Sequence, residues 1–201
     1  MQETETEFGW KTETEFGTSH QGRPGAVLPG GTEPEPVLFD MGSSAYFRKT
    51  SDWWVYDGGT LRAPRAAALR GACSCGWRGT ALYPVDWQEV AAEGPDVYDT
   101  QGPRDDWKRH IADVEHQAVP VPEDVAALLG RLRERLDVLS ADAPLAALRV
   151  VAALEHTTGE AAEAAVYAVR GDDQSWDAVA TALGLTEPDA RTRLHRYARR
   201  Y

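Results

Sequence analysis

The 201-residue chain is long enough for one large domain or two small ones. Its formal charge of -11 argues against non-specific coating of nucleic acid or of an anionic membrane. Its two cysteines, Cys73 and Cys75, are too close in sequence for an unstrained disulfide, so reduced thiols or metal ligands are expected, and both suit a cytoplasmic protein. The N-terminus is acidic and lacks the apolar segment of a signal peptide, and no apolar run approaches a membrane span.

Proline and glycine crowd the first 120 residues, whereas the remainder is rich in Ala, Leu, Arg and Glu. The expected fold class is therefore α+β, with a small β-rich, zinc-ribbon-like N-terminal domain followed by an all-α domain. Residues 1–36 read as a disordered acidic tail. They contain an eight-residue repeat, Thr4–Gly9 and Thr12–Gly17, and then Gly and Pro clusters that bury too little apolar surface to offset the entropy of ordering. If the tail docks anywhere, Phe8 and Phe16 are its anchors.

Residues 37–118 form the expected β-rich domain. Asp52–Asp57 reads as a strand closed by Gly58-Gly59, and Ala66–Cys73 and Trp77–Val85 read as two strands joined at a Cys-Ser-Cys-Gly turn. A closing helix runs from about Arg104 to Glu115, with Trp107, Ile111 and Val114 on one stripe. Residues 119–122, Val-Pro-Val-Pro, read as a stiff linker.

Residues 123–201 read as helices throughout. Val125, Leu128, Leu129, Leu132, Leu136 and Leu139 mark the first helix. Asp142 is a candidate cap for a second, and Thr157-x-x-Glu160 for a third that ends at Gly171. Ser175 caps a fourth helix, and Thr186, with Pro188 in the first turn, starts the last.

A structural zinc ion takes four nitrogen or sulfur ligands in a tetrahedron. Cys73 and Cys75 supply two thiolates from one turn, and His110 lies beside the apolar stripe of the closing helix. His116 completes the expected set, provided that the helix ends or tightens before it, because six residues turn an ideal helix by about 240°. Asp106 and Asp113 are reserve ligands. The bland alternative is a pair of buried thiols with two surface histidines. The run Arg70–Gly79, with Tyr83-Pro84 and Trp107-Lys108-Arg109-His110, resembles a C-x-C-G-W…W-x-x-H pattern in small uncharacterised actinobacterial proteins. That resemblance implies a metal-binding or structural unit and no activity.

Residues 175–200 fit a helix-turn-helix. Trp176, Val179 and Leu183 form an inner face, Ala180 is small at the helix contact, Gly184 makes the turn, and Ala190 and Leu194 face inward. The run resembles the last part of sigma factor region four. Double-stranded DNA is then the expected partner, contacted by Arg191, Thr192, Arg193, Arg196 and Arg199, with Arg200 beyond them. Glu187 and Asp189 occupy the turn that normally meets phosphates, which keeps open a second expectation, an adaptor that binds a protein partner. The leucine stripe at 125–139 is either a dimer seam or packs within the chain. With no phosphate loop, nucleophile elbow or His-Glu zinc helix, no enzymatic activity is expected.

Overall fold

The computed structural model describes residues 9–40, 47–172 and 174–199. Phe8 and Arg200, singled out above, lie outside them. The fold is mixed α and β, and the chain divides into two compact units, Met1–His116 and Gln117–Tyr201.

The first unit contains a three-stranded antiparallel sheet in the order β1-β4-β5, built from β1 (Gly22–Val27), β4 (Ala68–Cys73) and β5 (Tyr83–Pro84). A second antiparallel pair joins β2 (Val37–Asp40) to β3 (Phe47–Thr50). Two helices follow, α1 (Trp87–Glu93) and α2 (Gln101–Gln117). Asp86 caps α1 by accepting from the amides of Gln88 and Glu89.

Three expectations are corrected here. Residues 1–36 are not simply a tail, because β1 lies inside them and pairs with β4 along its whole length, Gly22 opposite Cys73 and Val27 opposite Ala68. The Gly-Pro composition concealed it, yet Pro24 needs no ladder donor and the strand needs only one hydrogen-bonded neighbour. Asp52–Asp57 is not a strand. Trp53–Val55 forms a 3-10 turn whose Trp53, Val55 and Tyr56 fill the core together with Ala26, Ala63, Ala66, Leu69 and Val90. Of Trp77–Val85, only Tyr83–Pro84 is strand, although Arg78 bridges back to Ala72.

Two glycines set the distance between sheet and α2. A Cβ on Gly22 would stand 2.5 Å from the Trp107 ring, and one on Gly71 would stand 2.6 Å from the Pro103 carbonyl oxygen. A Gly71→Ala variant is therefore expected to lower the stability of the first unit by about 1–3 kcal/mol, the usual range for overpacking against unyielding backbone. A shifted denaturant midpoint checks this.

The second unit comprises α3 (Glu123–Asp142), α4 (Pro144–Gly171), α5 (Trp176–Ala182) and α6 (Glu187–Ala198). Asp142 ends α3 rather than capping α4, and only Ala143 separates the two helices. The helix expected to begin at Thr157 is the continuation of α4. The Thr157 and Thr158 hydroxyls donate back to the carbonyls of Ala153 and Leu154 instead of capping a new N-terminus. Ser175 and Thr186 do cap α5 and α6, accepting from the Ala178 and Asp189 amides. The Val-Pro stretch is anchored at its start, where the Val119 amide donates to the Ala182 carbonyl. The core of this unit is Val166, Val179, Ala180, Ala190 and Leu194, with Trp176, Leu185 and Tyr197 packed against it. Trp176 is thus part of the packing, as its spacing implies.

Candidate metal centre

The centre is built on the end of β4. The chain turns at Cys73–Trp77, closed by hydrogen bonds from the Gly76 amide to the Cys73 carbonyl and from the Cys73 amide to the Trp77 carbonyl, both 3.0 Å. This turn places both sulfurs on one side. Ser74 fastens it to the segment ahead of β1. Its amide donates to the Gln21 carbonyl at 2.8 Å. Its hydroxyl accepts from the Gln21 amide at 2.9 Å and donates to the Ser19 carbonyl at 3.0 Å. His20 lies between those residues and is buried, its Nδ1 3.6 Å from the Cys73 sulfur. From the other side α2 delivers His110, whose Nε2 is 3.3 Å from the Cys75 sulfur.

One ligand atom from each of His20, Cys73, Cys75 and His110 lies within 4.8 Å of all the others, so the four could hold a metal ion. The spacing fits a small tetrahedral ion. With metal–sulfur and metal–nitrogen bonds of about 2.3 and 2.0–2.1 Å, a tetrahedron has sulfur–nitrogen edges of about 3.5 Å, which the two observed contacts bracket. Two sulfurs and two imidazoles are a donor set compatible with zinc.

The surroundings suit a fixed rather than an open centre. The Trp77 ring stacks on His110 at 4.5 Å and 6° from parallel, and the His20 and His110 rings stand 5.4 Å apart. Cys73, Trp107 and Ile111 form a buried cluster, with Trp10, Cys75 and Trp77 against it. Arg78 donates to the Cys73 and Trp77 carbonyls and pairs with Glu33 at 2.6 Å, bracing the turn from outside. The hydrogen bond between the two thiols lowers the Cys73 side chain below the ordinary thiol range and raises Cys75 above it, and contacts with His110 and His20 lower Cys73 further.

Three of the four residues expected from sequence, Cys73, Cys75 and His110, meet here. His116 does not. The helix α2 continues unbroken to Gln117, so the 240° rotation carries His116 away from the cluster to an exposed position. Asp113 is likewise exposed, and Asp106 is buried in its own network, accepting from Arg109 and from the Tyr83 hydroxyl. His20 takes the fourth place. A signal for it existed: it is the only histidine ahead of residue 110. The reading of its surroundings as a tail obscured it.

In the second unit, the basic residues of α6 are not equivalent. Arg191 donates through Nε and a terminal nitrogen to Glu187, at 3.0 and 2.6 Å, and its guanidinium lies 4.5 Å over the Trp176 ring. The Thr192 hydroxyl donates to the Pro188 carbonyl. Arg193 is half-buried, whereas Arg196 and Arg199 are exposed. The chain matches no family model, no curated protein and no solved structure. Among the described residues, no helix is long and apolar enough to cross a membrane.

Proposed function

We propose that the chain is a DNA-binding regulator whose first unit is held by a structural zinc ion on His20, Cys73, Cys75 and His110. The observation that carries the metal part is the convergence of the four donor atoms within 4.8 Å of one another. Stacking of Trp77 on His110 and burial of His20 and Cys73 argue for a closed, structural ion rather than one with an open position for substrate. Metal analysis of the purified chain tests it, with one equivalent of zinc as the expected content.

The nucleic-acid part rests on α5 and α6 as a helix-turn-helix. The turn contains Gly184 at φ 59°, and α6 is pinned by buried Ala190 and Leu194, which turns Thr192, Arg196 and Arg199 outward. Arg191 is held by Glu187 and Trp176, which leaves Arg193, half-buried, Arg196, whose guanidinium lies 5.7 Å over the Tyr197 ring, and Arg199 as the cations for phosphates. Fluorescence anisotropy with a duplex library should show binding that weakens with added salt, and Arg196→Ala with Arg199→Ala should reduce the salt slope by about 2. Absence of salt-sensitive duplex binding would sink this part.

A second reading is favoured by one observation. The first turn of α6 offers Glu187 and Asp189, with Asp189 accepting from Thr186 and Glu187 occupied by Arg191. Such a turn repels phosphate and suits a basic protein partner. A partner that co-purifies after nuclease treatment, with no duplex binding, is the result that would favour it.

A further inference from the structure

The first unit contains a cleft of about 350 Å³ that shares no residue with the metal centre. One wall is α1, where Trp87, Val90 and Ala91 fall at i, i+3 and i+4 and so share a face. Trp54, from the Trp53–Val55 turn, joins the lining, as do Asp57, Thr60 and Arg65 from the loop that follows. Both indoles pack against the core yet stay half-buried. The Trp87 ring is fixed by its nitrogen, which donates to the Ala66 carbonyl at 2.8 Å, and by Trp53, with ring centroids 5.9 Å apart. Trp54 makes no ring contact among the described residues, and its buried nitrogen has no hydrogen-bond partner. The cleft thus keeps aromatic surface that the fold does not consume.

The charged groups of the lining are not equivalent. The Asp57 carboxylate accepts from the Gly59 and Thr60 amides at 2.7 and 2.6 Å and from the Thr60 hydroxyl at 2.9 Å. It is committed to its own loop, in which Leu61 and Arg62 have φ of 51° and 58°. Bulky residues rarely adopt that conformation, and such strain concentrates where a site needs the shape. Arg65 has no comparable partner. Its stem lies over Gly58, where a Cβ would stand 3.1 Å from the Arg65 Cβ, and its guanidinium is 5.9 Å from the Trp87 ring centroid. Among the described residues it makes no ion pair.

We infer that this cleft binds a small planar aromatic anion, its ring against Trp54 and Trp87 and its carboxylate or phosphate on Arg65. Indole surface favours a flat π-system. Arg65 is the charged group of the lining that nothing else satisfies, and its planar fork suits either anion. The volume lies at the small end of the range for ligand clefts, which admits one or two fused rings. No residue of α5 or α6 takes part, so zinc or DNA binding can fail without this site failing.

The full, metal-loaded chain is titrated with naphthoate and with adenosine monophosphate. Neutral naphthylmethanol and cationic naphthylmethylamine serve as controls. Indole N–H signals in nitrogen–proton correlation spectra, assigned through Trp54→Phe and Trp87→Phe, report the site. Naphthoate is expected to shift both signals, with a dissociation constant below about 1 mM. Arg65→Gln, at an exposed position, should weaken it about tenfold and leave the alcohol unchanged. Shifts of the same two signals by adenosine monophosphate also support the proposal and add phosphate to the anions accepted. No shift of these signals with either anion overturns it, as do shifts confined to other indoles. So does an Arg65→Gln variant that treats acid and alcohol alike. Tighter binding of the amine than of naphthoate also overturns it, by making Asp57 the charge that decides.

Discussion

Substituting Cys73→Ser is expected to abolish metal retention and the cooperative unfolding of the first unit. Structural zinc contributes about 10–16 kcal/mol in small zinc-dependent folds, which equals or exceeds the whole stability of a typical domain. Here the ion would tie three separate stretches of chain: the segment before β1, the turn after β4, and α2. The loss of one thiolate leaves three donors and an incomplete tetrahedron, and Cys73 is the buried member of the pair. His20→Ala should act in the same direction. His116→Ala should leave both metal content and melting temperature unchanged, because that side chain is exposed on the far side of α2. Metal analysis and thermal melts with and without a chelator check all three. A Cys73→Ser variant that melts like the parent, insensitive to chelator, would contradict the structural-zinc reading outright.

The second large effect is expected at Trp107. Its ring fills the space that Gly22 leaves open and belongs to the same buried cluster as Cys73 and Ile111. It also packs against Trp10, with ring centroids 5.9 Å apart. Trp107→Ala should cost about 3–5 kcal/mol, read as a shift in denaturant midpoint. It should also weaken metal affinity, because His110 stands one turn further along the same helix and is positioned by that packing. Trp107→Phe separates the two contributions. The indole nitrogen is buried with no hydrogen-bond partner, so exchanging the indole for a phenyl ring removes an unsatisfied donor along with some packing. Its cost should be less than half that of the alanine variant, and zinc should stay bound. Equal costs for the two variants would show that the packing argument is wrong.

The legibility of this chain from sequence depended on how local each signal was. The Cys73–Trp77 turn and the stripe of α2 are written in neighbouring residues, and both were readable. So were the caps at Ser175 and Thr186, where a hydroxyl precedes a free helical amide by three residues. His20 offered only the weak signal of being the one histidine ahead of residue 110, because its role comes from the pairing of β1 with β4, a contact across 53 residues. The Trp53-Trp54-Val55-Tyr56 run has strand propensity. Its outcome was decided by burial in the aromatic core, where Trp53 meets Trp87 and Tyr98. Thr157-x-x-Glu160 has the spelling of a capping box, but the helix ahead of it never ends, so the hydroxyls turn back to carbonyls already within reach. The apolar stripe of α3 was visible in sequence, while the exposure of much of it was not.

The attachment of Ser74 to Ser19 and Gln21 has a kinetic consequence. The contacts His20–Cys73 and Cys75–His110 span 53 and 35 residues. Closing loops of that size costs about 3–4 kcal/mol of chain entropy each, and the cost grows only slowly with length. An ion arriving early meets only the neighbouring Cys73 and Cys75. Once β1 has zipped onto β4, the three hydrogen bonds of Ser74 already hold His20 in place, and one of the two closures is complete before the metal arrives. Refolding should therefore capture zinc late, in a step whose rate follows sheet formation rather than metal concentration.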